Sequence, residues 1–149
     1  MKASRLAAAI TIASAMACSS SSSQDSAPAA AITPATKFSE IYPLIFPLET
    51  KGQCSFCHSL PPNDNSNGKL STGMDQAAAH AALVGVMSAS SMCGGKPLVV
   101  PGSPETSLFF QKITGTPPCG AHMPLGGSSL TAAQVEMIHS WIAGGAKND

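Results

Sequence analysis

"GQCSFCHSL", residues 52–60, places Cys54, Cys57 and His58 within five positions. Thiol and imidazole groups both ligate metals, and two thiols at this spacing can also pair with each other or form thioether links. The cluster therefore admits three occupants: zinc, a redox disulfide, or a haem. The rest of the chain has to discriminate among them.

A structural zinc site needs four ligands, commonly a second cysteine pair or a histidine pair. The later cysteines, Cys93 and Cys119, each stand alone. A thioredoxin-like Cys-X-X-Cys needs a βαβ setting, and nothing of that kind flanks this one. The third occupant uses all three residues. Two thiols so spaced can add to the two vinyl groups along a haem edge, and the adjacent histidine then falls beneath the iron. Cys-X-X-Cys-His is the attachment signal for c-type haem. The expectation is one covalent haem c, held by Cys54 and Cys57 and ligated by His58.

The start of the chain bears on the compartment. MKASRLAAAITIASAMAC has a short positive region at Lys2 and Arg5, then an apolar run of small residues from Leu6 to Ala17. This is a secretory layout, too short and too alanine-rich for a spanning helix. Ala15-Met16-Ala17-Cys18 resembles a bacterial lipoprotein signal, in which small residues precede a cysteine that becomes lipidated; here Ala15 stands where leucine is commonest. The resemblance implies a signal peptide over 1–17 and a lipid anchor on Cys18. The alternative is an ordinary signal cut nearby, leaving a soluble protein. Residues 18–36, rich in serine, alanine and proline, bury too little surface to fold and read as a flexible tether. The expected location is exported and membrane-anchored, on the periplasmic or outer-membrane side.

The domain is expected over 37–149, roughly 110 residues, enough for a single core. Formal charge is zero, and no basic cluster follows the signal, so nucleic-acid binding has no electrostatic support. Five Phe, one Trp and one Tyr are few for so small a domain, which needs another source of buried mass or cross-linking. A haem supplies it.

Periodicity gives the elements. Phe38, Ile41, Tyr42 and Ile45 fall at helical spacing with Ser39 as N-cap, and Pro43 and Pro47 restrict this to a short or kinked helix, or two turns. LPPNDNSNGKLSTG is a turn-rich loop. DQAAAHAALVGVMS predicts a helix from about Asp75, whose charge suits the helix N-terminus. In SPETSLFFQKI, Ser103 caps, Pro104 takes the first helical position, and Leu108, Phe109 and Ile113 face a core. GTPPCGAHMPLGG is a loop. In LTAAQVEMIHSWIAGG, Thr131 and Gln134 form a capping box, Val135, Ile138, Trp141 and Ile142 an apolar stripe, and Gly144 or Gly145 the end. Only Leu98-Val99-Val100 has a strand-like pattern. The fold class is all-α, with long loops between helices.

From Phe38 to Ala146 the chain resembles a mono-haem class I c-type cytochrome domain: a helix before CSFCH, a helix-rich middle, Met-Pro in a loop, and a last amphipathic helix. Its tail, with PGSP, MPLGG and a Trp-Ile pair, also resembles exported bacterial cytochrome-like lipoproteins. The resemblance implies that Met123, before Pro124, is the second axial ligand. His122 is the adjacent rival; His80, His139, Met74, Met87, Met92 and Met137 read as core or helix surface. In that family a proline about a dozen residues past the histidine often supports the ring through its carbonyl. Leu70 stands there instead, leaving the partner of the His58 ring N–H open.

With Cys18, Cys54 and Cys57 assigned, Cys93 and Cys119 remain, and in an oxidising compartment they are expected to pair; two free buried thiols are the alternative. Trp141 and Ile142 are expected against the haem and the first helix. The implied function is single-electron transfer with redox partner proteins, by a monomer without substrate turnover. The alternatives are a peroxidase-like enzyme, with His122 serving an open distal site, and a ligand-sensing module in which Met123 is displaced.

Overall fold

The computed structural model describes residues 36–50, 52–59, 69–73, 75–115, 117–126 and 128–149. The expected signal peptide, Cys18, the tether up to residue 35, most of the 60–73 loop and Met74 lie outside the described residues.

α1 spans Phe38–Ile45 and buries Phe38, Ile41 and Ile45, one face of the helix at i, i+3 and i+7. The cap differs from expectation. Lys37, not Ser39, is the N-cap residue, and the orphan N–H groups of Phe38 and Ser39 donate to the Asp149 carboxylate and main-chain oxygen, each at 3.1 Å. Ser39 is thus inside the first turn, and a residue from the far end of the domain does the capping. Pro43 lies inside this short helix.

α3 covers Gln76–Leu83, with the Asp75 carboxylate accepting from the Ala78 N–H at 2.8 Å. The periodic run to Ser88 does not stay helical. At Val84 the backbone becomes extended, and Gly85 turns at a φ of 73°. The following residues hydrogen-bond across to the 96–99 segment: Leu98 N–H donates to Val86 O at 2.8 Å and Ser88 N–H to Lys96 O at 2.8 Å. Val84 and Val86 are β-branched, so the chain loses little helical preference by leaving α3 here. Within Leu98-Val99-Val100 only Val99 makes a bridge, an isolated one with Val84, and the preceding Pro97 makes another with Met87.

The SPETSLFFQKI helix is divided. Pro104–Thr106 is a 3-10 turn, and α4 begins at Leu108 and ends at Ile113. Ser103 makes no side-chain cap. The cause is Ser107, fully buried, whose hydroxyl donates to Ser103 O and accepts from Val100 N–H, both at 2.9 Å. That pair of bonds holds the junction extended between the two helices.

α5, Ala132–Ala143, follows its sequence closely. Thr131 Oγ1 accepts from Gln134 N–H at 3.2 Å, Gln134 Oε1 accepts from Thr131 N–H at 2.9 Å, and Gly144 is the C-cap. Ile138, Trp141 and Ile142 are buried. Trp141 stacks on Phe38 with ring centroids 4.7 Å apart, and its indole N–H donates to Lys147 O at 2.9 Å. α1 packs on α3 and α5, and α4 on α5. Among the described residues the fold is all-α, with helices around a core centred on Phe38, Ile41, Leu83, Val99, Ile138 and Trp141.

Candidate functional site

The opening motif is itself a helix: α2 is Cys54–His58. One helical turn puts Cys54, Cys57 and His58, at i, i+3 and i+4, on one face. Ser55 points the other way, buried, and its N–H donates to Phe46 O at 2.9 Å. Gly52 makes the approach to this turn possible, since a Cβ there would strike the Ile45 carbonyl at the end of α1. The motif is thereby docked directly on α1.

Segment 70–72 straps His58 from the other side. His58 Nδ1 lies 3.3 Å from Leu70 O. A carbonyl oxygen only accepts, so the contact is a hydrogen bond in the tautomer that carries its proton on Nδ1. Thr72 completes the strap: its N–H donates to His58 O, and so does its hydroxyl at 3.0 Å. The question of which group supports the ring in place of a proline is answered by the backbone of Leu70. Any residue supplies a carbonyl.

Cys54, Cys57 and His58 border a largely apolar cavity of about 460 Å³, and Met123 borders it too. That volume lies within the roughly 300–1,000 Å³ of small-molecule and cofactor sites. Other walls come from Ile45 at the end of α1 and Phe46 after it, Leu83 of α3, and Leu108, Phe109 and Ile113 of α4. Trp141 and Ile142 are not among the residues that border it; they belong to the packing of α1 and α5, the half of their expected role that set them against the first helix. His122 does not border it either, and His80 is engaged elsewhere, with Nε2 2.8 Å from Ala146 O and its ring edge-on to Phe38 and Trp141. Met92, read from sequence as packing or surface, is 70% exposed at the cavity wall. Phe56, 72% exposed within α2, also borders it.

The wall carrying Met123 is a loop without helix, tied at three points. Cys93 and Cys119 form a disulfide, with Cα atoms 5.6 Å apart. Met123 N–H donates to Lys112 O at 2.8 Å, and Lys112 Nζ donates to Cys119 O at 2.6 Å and Ala121 O at 2.9 Å. Burial lowers the Lys112 pKa. Sequence reading missed Lys112: a lysine in the last turn of a helix ordinarily serves that helix's own C-terminus, so nothing in the pattern marked it.

The surroundings weigh the three occupants. The disulfide takes both later cysteines, so neither is available to complete a four-ligand zinc site. Burial pushes the Cys54 thiol up to about 12, its own backbone amide partly opposing this and Cys57 adding to it. Reactive dithiols need the reverse, an electropositive setting that stabilises the thiolate. A haem fits the residues present: two thiols on one face, an imidazole whose Nδ1 lies against Leu70 O, a thioether on the same cavity, and apolar walls between. No protein-family model, curated protein or solved structure matches this chain significantly.

Proposed function

We propose that this protein is a single-electron carrier with one covalent c-type haem, tethered through lipid on Cys18 to a membrane on the periplasmic or outer-membrane side. The observation that carries the reading is the setting of His58: its Nδ1 lies 3.3 Å from Leu70 O, on the same cavity wall that holds both motif cysteines. Cys54 and Cys57 would hold the porphyrin through thioether links, and His58 and Met123 would supply a nitrogen and a sulfur to its iron. The bound haem supplies reversible one-electron chemistry at iron, with a thioether ligand favouring the ferrous state. Leu108, Phe109 and Ile113 exclude water from the cavity, and the Leu70 carbonyl raises the basicity of His58.

With His58 and Met123 both assigned to the iron, this reading would leave no role for a substrate, and the partners would be an electron donor and an electron acceptor. The deciding experiment matures the full chain in the periplasm of a host with working haem-attachment machinery and records a pyridine haemochrome spectrum. A covalent haem c signal is expected; a colourless mature protein overturns the proposal. Carbon monoxide added to the reduced protein tests the closed distal side. Little binding is expected, whereas rapid complete binding favours the sensing or peroxidase-like alternatives.

A further inference from the structure

Of the residues around the cavity, Lys112 makes contacts that neither its position in the chain nor the haem motif anticipates. It sits on α4, whose Leu108, Phe110 and Ile113 are buried and anchor the helix. Its side chain leaves its own helix and donates to the carbonyls of Cys119 and Ala121, while its main-chain oxygen accepts from Met123. One residue therefore grips three alternate residues of the loop, 119, 121 and 123. Gly120 lies at the centre of the grip with a φ of 59°, and a Cβ there would come within 2.8 Å of Lys112 Nζ. The small residue is what allows the amine to reach both carbonyls.

We infer that Lys112 is a positioning residue that clamps the 119–123 segment to α4 and so holds the Met123 thioether over the cavity. The inference rests on the haem reading above and adds to it the means by which a helix-free loop keeps its ligand in place. Two carbonyls aimed at one amine fix the loop more firmly than the single main-chain bond from Met123 alone. Loss of a hydrogen bond to a charged donor is worth about a tenfold shift or more in such an equilibrium.

The test compares wild type, Lys112→Met and Gly120→Ala in the matured holoprotein. Lys112→Met keeps the length and apolar stem without the donors; Gly120→Ala keeps Lys112 and displaces its amine. Three quantities are read: the weak long-wavelength absorption of ferric iron with a thioether ligand, imidazole affinity of the ferric protein, and hydrogen exchange over 117–126. Both variants are expected to bind imidazole about tenfold more tightly, with a weaker band and faster exchange in the loop. Unchanged band and imidazole affinity in both variants overturn the inference, even where thermal stability falls, because that is the outcome of a merely structural lysine. If Lys112→Met does not accumulate folded, Lys112→Leu decides by the same criteria, since Gly120→Ala also strains the backbone at a φ of 59°. Wild type without covalent haem, or with a band that survives Met123→Ala, overturns the underlying haem or ligand reading instead, and this inference with it.

Discussion

His58 and Met123 border one cavity, yet the two walls are built differently. The His58 wall is compact: a five-residue helix carries the motif, Gly52 and Ser55 dock it on α1, and the 70–72 strap meets both the ring and the main-chain oxygen of His58. The Met123 wall has no regular structure and is tied to distant segments by a disulfide to Cys93 and by Lys112 of α4. The first wall is held by two main-chain bonds, Ser55 N–H to Phe46 O and Thr72 N–H to His58 O, and by the contacts of the His58 ring and the Thr72 hydroxyl with main-chain oxygens. The second depends on three particular side chains: two cysteines and a lysine. The comparison teaches that the His58 wall rests on backbone contacts and on the absence of a side chain at Gly52, while the Met123 wall is concentrated in a few side chains.

The largest expected effect removes the first wall's chemistry. In Cys54→Ala/Cys57→Ala, haem is no longer retained after acid–acetone extraction of the matured protein, a complete loss. Retention would mean that these thiols are not the attachment points. Next comes Cys93→Ser/Cys119→Ser, which frees the Met123 loop. On the chain-entropy account a bridge of this span contributes about 3.5 kcal/mol, seen as a lower urea midpoint. The same variant should take up imidazole more readily than wild type. An unchanged midpoint would show that the loop is held without the bridge, and the contrast between the walls would fail.

The smallest effect belongs to the strap. Thr72→Val deletes the hydroxyl bond to His58 O but keeps the main-chain N–H bond, and should cost about 1 kcal/mol in urea unfolding. Imidazole affinity should stay at the wild-type value, since the distal wall is untouched. A shift in imidazole affinity as large as that of the disulfide variant would show that the two walls are mechanically coupled rather than separately built.

Much of the local structure was legible in residue order. α5 carries its own start, stripe and stop, all within reach of each other along the chain, so Thr131, Gln134 and Gly144 act as read. Asp75 caps α3 for the same reason. The misreadings share a cause. Ser39 looked like a cap, but Asp149 supplies the oxygens for α1 from the other end of the domain. The helix from Asp75 looked as if it ran to Ser88, but segment 96–99 offered its backbone and drew Val84–Ser88 into bridges. Ser103 looked like the cap of one helix, but buried Ser107 split that helix in two.

The site divides in the same way. Cys54, Cys57 and His58 declare themselves because thiol and imidazole chemistry at this spacing is set within one helical turn. Residue order alone also limited Cys93 and Cys119 to pairing or remaining free. It could not say that Leu70 would support His58, because the supporting atom is a carbonyl that every residue carries. Nor could it show that α4 borders the cavity, or that Lys112 turns away from its own helix to hold the loop of Met123. Those facts depend on which backbone oxygens folding brings within reach of a given nitrogen. That is a property of three-dimensional packing, and side-chain identity leaves it open.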